Sequence, residues 1–189
     1  MGADRPLRPP EQKKEGEEMR KNRINFMILL VVMVLTLTGA ALAFDNEPEG
    51  FRGLKWGDPP GEEMIQYFSL PPVNYYQLPG EPLSLGNVKF YQIGYQFLVS
   101  PEGEAFMMVG LYFRGEANYK LMKIICKEKF GEREEEWYQI TWWSPKHLVT
   151  LKYDLIEEKG SLGIVSVPLV KKMTEAIEKL ESEKAKKDW

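Results

Sequence analysis

The strongest constraint on the fold is a two-residue periodicity between positions 88 and 113. In "VKFYQIGYQFLV" the odd positions from 91 to 99 are apolar or aromatic, and Gln92, Gly94 and Gln96 lie between them. Alternation of this kind predicts a β-strand with one buried face. After "SPEGEA", the odd positions of the next segment are again apolar, so the two segments predict a β-hairpin. The residues expected on the buried face are Tyr91, Ile93, Tyr95, Phe97, Val99, Met107, Val109, Leu111 and Phe113.

The apolar spacing changes after this hairpin. In "GEANYKLMKIICKEKFGE" one broad face is apolar and lysines occupy the other, which predicts an amphipathic helix that ends at Gly131. The apolar face holds Leu121, Met122, Ile124, Ile125 and Cys126. Three further strands are predicted in "WYQITWW", "LVTLKYDL" and "LGIVSV", the last two as a hairpin. Helical spacing returns from Pro168, and we expect the polar tail at 181–189 to fray.

The stretch "FRGLKWGDPPGEEM" is rich in glycine and proline. It predicts a short strand that ends at Gly57, followed by a helix with Asp58 as its N-cap. Met64, Ile65 and Phe68 would form the apolar side of that helix. The stretch lacks the glycine spacing of a phosphate-binding loop, and its acidic first turn would repel phosphate. We therefore interpret it as structural.

These elements give the order α-ββ-α-βββ-α. Because hairpin-connected strands favour an antiparallel sheet, we expect an α+β fold of about five strands with the helices packed on one face. Residues 44–180 would form a single domain, long enough for a hydrophobic core. The chain has one cysteine, so an internal disulfide is excluded. A doubly wound nucleotide fold would need helices between nearly all strands.

The amino-terminal region has the order of a secretory signal. A basic flank at 20–23 precedes an apolar core, and Ala41-Leu42-Ala43 supplies the small-x-small pattern that signal peptidase accepts. We expect a signal peptide at 19–43, with cleavage between Ala43 and Phe44. The polar lead at 1–18 suggests that translation starts at Met19 rather than Met1. The mature chain would then lie in the periplasm or cell envelope.

A retained membrane anchor is the alternative. Residues 26–44 approach the roughly 20 residues needed to cross a bilayer. The basic flank would then keep the amino terminus cytoplasmic, giving a single-pass membrane protein. Membrane contact is expected only through this segment. The sequence leaves both possibilities open.

Catalytic chemistry has little support in the sequence. With one histidine and one cysteine, no ordinary zinc or copper site can be assembled. We expect Cys126 to be a buried, inert thiol, and His147, in the "SPKH" turn, not to be catalytic. The acidic runs at 62–63 and 134–136 are expected to be solvated surface. We predict no catalytic residue, no metal and no cofactor; a small hydrolase that uses His147 or paired acids is the less favoured alternative.

The net charge of −3 argues against nucleic-acid binding, which needs a basic footprint. Aromatic residues instead indicate a partner-binding face. In "ITWW" the adjacent tryptophans must point to opposite sheet faces, so either Trp142 or Trp143 lies on the face that the helices leave open. Tyrosine and tryptophan dominate interface hot spots. We therefore predict docking of an envelope protein, peptide or glycan through Trp142, Trp143, Tyr75 and Tyr76.

Three motifs of the sequence resemble those of known proteins. "GFRGLKWG", the helix "NYKLMKIICKEKFGE" and "TWW" together resemble a group of small exported bacterial proteins of unknown function with an F-x-G-x-x-W-G start. The layout is also loosely similar to the helix-plus-sheet unit of the β-lactamase-inhibitor-protein type. The resemblance covers roughly residues 51–167 and carries no catalytic residues. It implies a periplasmic or envelope domain with a binding or interaction role.

Overall fold

The structure, a computed structural model, describes residues 46–187 and places ten strands and two helices there. The strands are β1 (Gly50–Phe51), β2 (Leu54–Lys55), β3 (Ile65–Leu70), β4 (Val73–Gln77), β5 (Ser84–Leu85), β6 (Val88–Ser100), β7 (Gly103–Arg114), β8 (Gln139–Trp143), β9 (His147–Asp154) and β10 (Lys159–Ser166). The helices are α1 (Glu116–Phe130) and α2 (Val167–Lys187). The predicted signal peptide or anchor, with its cleavage site at Ala43 and Phe44, lies outside the described residues.

Eight of the strands form one antiparallel sheet, with the order β3-β4-β6-β7-β10-β9-β8 and β5 paired to β6. The predicted β6–β7 hairpin is confirmed and forms the centre of the sheet. The predicted β9–β10 hairpin is also confirmed, and β10 joins it to β7. Both hairpins were predictable because each buries one face of its strands against a core.

The predicted fold class is wrong. The described chain is mostly β, with an eight-stranded sheet rather than about five strands, and the expected first helix is absent from residues 46–187. A β3–β4 hairpin occupies that part of the chain, so Ile65 and Phe68 lie in a strand and Tyr75 and Tyr76 lie in β4. Three of the strands are only two residues long and carry no periodicity.

The glycine-rich stretch forms a small hairpin instead of a helix start. β1 and β2 pair with each other, and the Asp58 carboxylate accepts a hydrogen bond from the Lys55 amide at 2.8 Å. The Trp56 ring stacks on Phe106 with the ring centroids 4.7 Å apart, and its Nε1 donates to the Pro48 carbonyl oxygen. The stretch therefore caps one end of the core, which agrees with the structural interpretation of it.

The sheet has two different faces. The first face packs under α1, whose buried residues are Tyr119, Met122, Cys126 and Phe130. This apolar face is narrower than predicted, because Leu121 and Ile124 are exposed. The opposite face, called the second face below, carries the alternate residues of each strand. Val170 and Met173 of α2 are buried, but they are not part of the core under α1. Leu148 and Val165 of the second face are also buried outside that core.

The two helices therefore do not share a face, although the sequence predicted that they would. α2 contacts β7, β9 and β10. The pKa of Glu102, in the β6–β7 turn, is lowered first by the Ser100 side chain and also by Lys172 of α2. Because Val170 and Met173 are buried outside the core under α1, α2 covers part of the second face. It continues past Leu180 to Lys187, and residues 181–183 are exposed.

Candidate interaction surface

The structure separates the four residues predicted to bind a partner. Trp142 and Tyr76 point to the first face, whereas Trp143 and Tyr75 point to the second face. Trp143 and Tyr75 lie on β8 and β4, with four strands between these two strands. At about 4.8 Å per strand, they are some 24 Å apart along the sheet. The four side chains therefore form no single cluster, and their partner-binding role stays a prediction.

Trp142 and Tyr76 serve the core. Trp142 is fully buried, its Nε1 donates to the Gly131 carbonyl oxygen at 2.8 Å, and its ring packs on Phe130. Tyr76 is 8% exposed, and its hydroxyl donates to Glu104 at 3.1 Å. Each polar atom already has a partner inside the domain, and both rings belong to the core on the first face.

Tyrosines form one half of the second face. Tyr112 lies across Gly110 of the same strand: a Cβ built at Gly110 would be 2.8 Å from the Tyr112 hydroxyl oxygen. The Tyr67 hydroxyl lies over Gly94 in the same way, at 3.4 Å. Gly94 and Gly110 are directly opposite each other on β6 and β7. The two glycines leave room for tyrosine rings to lie along the sheet rather than stand upright on it.

Further aromatic rings extend this half. Tyr91 packs beside Tyr112 with the ring centroids 6.3 Å apart, and Tyr67 and Phe68 both pack on Tyr75. Burial raises the pKa of the Tyr112 hydroxyl, and the neighbouring tyrosines raise it further. Tyr67 and Tyr91 nevertheless remain 47% and 45% exposed. The result is a hydroxyl-bearing aromatic surface that solvent reaches.

Uncharged polar side chains form most of the other half of the second face. The row that begins with Gly94 and Gly110 continues through Gly163 on β10, Thr150 on β9 and Thr141 on β8. Each of these residues lies directly opposite the next. The adjacent row contains Ser161, Lys152 and Gln139, again directly opposite one another. The residues of both rows on β8, β9 and β10 are half-buried.

Lys152 is the cation in the middle of this polar half. Among residues 46–187 its ammonium group forms no ion pair and no side-chain hydrogen bond. Burial lowers the pKa of Lys152, because the surrounding protein replaces part of the water that stabilises its charge. A half-buried cation without a carboxylate partner is uncommon, since burying a charge is costly unless it is paired. The Trp143 Nε1, at the edge of the same face, is also buried without a partner in the described chain.

The two candidate catalytic groups, Cys126 and His147, are both buried. Cys126 is 1% exposed, and burial raises the pKa of its thiol to about 12, as the sequence led us to expect of an unreactive cysteine. His147 is the first residue of β9 rather than part of a turn, and it is 9% exposed. Burial lowers the pKa of His147, although Glu47, 3.6 Å from its Nδ1, acts in the opposite direction.

The acidic run at 134–136 is exposed, as predicted, but Glu135 also has fixed partners. Glu135 accepts hydrogen bonds from the Tyr119 hydroxyl at 2.6 Å and from Lys123 at 2.9 Å. The Tyr119 hydrogen bond, followed by Lys123, lowers the pKa of Glu135 against the opposing effect of burial. Within the described part of the chain, no group of three or more potential ligands is close enough to hold a metal ion.

Neither described helix is long and apolar enough to span a bilayer. No protein-family model, curated protein or solved structure matches this chain. The second face is the candidate site. Sequence reasoning missed Tyr67, Tyr112 and Lys152 on this face. Glycines at 94, 110 and 163 inside predicted strands were the available signal, since a strand glycine marks a place where another group approaches the backbone.

Proposed function

We propose that this chain is an exported, non-enzymatic interaction domain whose second face binds an envelope protein that presents an acidic side chain. The observation that carries the proposal is Lys152, which is half-buried, has no ion-pair partner among residues 46–187, and lies in a face of tyrosine, glutamine, serine and threonine. A binding partner could supply the carboxylate that this cation lacks there. The interaction would be made by a formed surface rather than by a disordered segment.

The composition of the second face favours a protein partner. Tyrosine with small polar residues is the composition of antibody-combining sites, where rigid amphipathic rings give contact area at low entropic cost and hydroxyls give adaptable hydrogen bonds. The second face has both parts, with tyrosines on β3, β4, β6 and β7 and small polar residues on β8, β9 and β10. A fully apolar face would instead resemble an obligate oligomer interface.

Lys152 supplies charge complementarity. The residues directly opposite it, Ser161 and Gln139, carry no charge, so a carboxylate from the partner would meet no repulsion from these two neighbours. A salt bridge formed in a partly desolvated site is stronger than one at an exposed rim. We therefore expect Lys152 to be central to affinity, and the tyrosines to supply most of the contact area.

The proposal includes export of the domain, either released from the membrane or tethered to it. Cleavage between Ala43 and Phe44 would release the domain, whereas retention of residues 26–44 would tether it as a membrane-bound accessory protein. Mass spectrometry of the native amino terminus separates them, because a chain that starts at Phe44 has no anchor. The second face would serve either form. A hydrolase is not proposed, since His147 and Cys126 have core surroundings.

Site-specific photo-cross-linking tests the binding surface. A benzoyl-phenylalanine placed at Thr150 would lie in the second face, and one at Glu128 would lie on the exposed side of α1 as a matched control. In the native host we expect one discrete adduct with another protein from position 150, and none from position 128. Adding Lys152→Glu to the position-150 chain should abolish the adduct.

Four results would contradict the proposal. Three of them are the absence of any adduct from position 150, the same adducts from both positions, and an adduct that persists with Lys152→Glu. An adduct with a second copy of this chain would also contradict it, because the partner would then be the domain itself.

A further inference from the structure

A second surface of the domain shows an unusual backbone turn. Glu136 and Gln139 are joined by two backbone hydrogen bonds, of 2.9 and 2.8 Å, which leaves Trp137 and Tyr138 as the two central residues of a tight turn. Both have positive φ, 51° and 60°. Positive φ at both positions is the mark of a type I′ turn, which favours asparagine and glycine. Tryptophan and tyrosine are unfavourable residues in this conformation.

The Trp137 side chain makes no contact inside the described domain that would offset this strain. It is 97% exposed, and it makes no ring contact or hydrogen bond with another described residue. Tyr138 differs, because its ring lies 6.3 Å from that of Tyr119 and 6.5 Å from that of Tyr153. Strained backbone conformations cluster at functional sites. Trp137 combines such a conformation with an exposed side chain.

Trp137 borders a depression of about 480 Å³, which falls within the range of roughly 300–1,000 Å³ typical of ligand sites. Its lining consists of Glu116, Tyr119, Lys120, Lys123, Glu135, Trp137 and Tyr138. Tyr119 is fixed from below by stacking on Tyr153, with the ring centroids 5.1 Å apart. The site is therefore partly preorganised, with Trp137 as its exposed wall.

The charges of the depression are already paired. Lys123 binds Glu135 at 2.9 Å, and Lys120 binds Glu116 at 3.0 Å. With two cations and two anions, the lining has no net charge to attract an ion. Its carboxylate and ammonium groups can still accept and donate hydrogen bonds to a neutral ligand. The ligand that fits has hydroxyl groups and a flat apolar face for the indole ring.

We propose that the depression beside Trp137 binds a neutral sugar ring of a glycan. The apolar face of the sugar would stack on Trp137, and its hydroxyls would bond to Glu135, Lys123 and Lys120. This site is distinct from the second face and does not depend on the proposed protein partner.

Isothermal titration with chitohexaose, a neutral oligosaccharide, tests the site on the full chain. We expect saturable binding that weakens at least about tenfold in Trp137→Ala, as for the loss of a stacking hot spot, and by much less in Trp137→Phe. Lys152→Ala should bind as the wild type does, because it alters only the second face. This control separates a failure here from a failure of the proposed function.

The double variant Trp137→Asn/Tyr138→Gly separates a structural role from a binding role. We expect it to unfold at a higher temperature than the wild type and to lose chitohexaose binding. A lower unfolding temperature would show that the turn serves folding, and it would overturn the proposal. No binding by the wild type, equal binding by Trp137→Ala, or preference for an acidic or basic hexapeptide would do the same.

Discussion

Tyr112 lies across Gly110, two residues earlier in β7, so closely that a Cβ at Gly110 would be 2.8 Å from the tyrosine hydroxyl oxygen and 3.0 Å from its ring. The Tyr112 ring can therefore take this position only because residue 110 has no side chain. This pair makes the second face a flat aromatic surface instead of a row of upright side chains.

Gly110→Ala should remove this arrangement. The new methyl group would meet the Tyr112 ring, and the ring would have to leave its place, so we expect a loss of about 1–3 kcal/mol in the free energy of unfolding. Gly163→Ala is the matched control in the neighbouring strand, where the nearest side-chain atom, Met108 Cε, is at 3.6 Å, an ordinary contact distance. Chemical denaturation of both variants measures the difference. Equal stability of the two would show that Tyr112 does not depend on Gly110.

The adjacent tryptophans should respond differently to truncation. Trp142→Ala removes a fully buried ring and leaves the Gly131 carbonyl oxygen without its donor, so we expect a loss of about 3–5 kcal/mol. Trp143→Ala removes a half-buried ring, and we expect a loss of about 1 kcal/mol. Urea titration of each variant is the measurement. A larger loss from Trp143→Ala would reverse the assignment of the two faces.

The Trp137-Tyr138 turn predicts a stabilising substitution. Left-handed backbone costs roughly 1–2 kcal/mol for each residue that has a Cβ. Trp137→Asn/Tyr138→Gly relieves this cost but removes the Tyr138 ring contacts, so we expect a net gain of about 1 kcal/mol in the free energy of unfolding. Denaturant unfolding measures it, with Trp137→Asn alone as the intermediate control. A stability below that of the wild type would contradict the strain assigned to this turn.

His147 predicts a pH dependence of defined sign. Burial lowers its pKa below the ordinary value of 6.5, with Lys146 acting in the same direction and Glu47 in the opposite one. The unfolded chain therefore binds this proton more readily than the folded domain does. Its contribution to stability is fully present above the ordinary value of about 6.5 and is lost as the pH falls from there through the lower pKa of the folded state.

The chain has one histidine, so its imidazole proton resonance can be followed without assignment. We expect a titration midpoint below 6.5 in the folded protein. Glu47→Gln removes the opposing carboxylate and should lower the midpoint further. A midpoint above that ordinary value would mean that Glu47 outweighs burial.

The sequence predicted the elements in which one face is largely buried. The β6–β7 hairpin is such a case, and the helix ending before Gly131 is another. The prediction for β3 was wrong because its side chains are mostly exposed at the sheet edge, so Met64, Ile65 and Phe68 gave a spacing that a helix could also explain. Edge strands carry little periodicity for this reason.

Local irregularities also escaped prediction. A bulge between Phe90 and Gln92 makes Tyr91 an extra residue, so Tyr91 is exposed although the alternation placed it on the buried face. The sequence of β9 alone does not predict that Lys152 lies in a polar binding surface. This placement follows from strand pairing that brings Ser161 and Gln139 beside Lys152, and that pairing is set by the whole sheet.

The most direct test of the account is the affinity of the domain for the protein cross-linked from position 150. It should be measured for wild type, Lys152→Glu and Lys171→Glu, an exposed control on α2. We expect Lys152→Glu to weaken binding at least about tenfold, because the reversed charge repels the acid that it should pair with, and Lys171→Glu to leave the affinity unchanged. Equal affinities of all three chains would contradict the assignment of the second face as the binding surface.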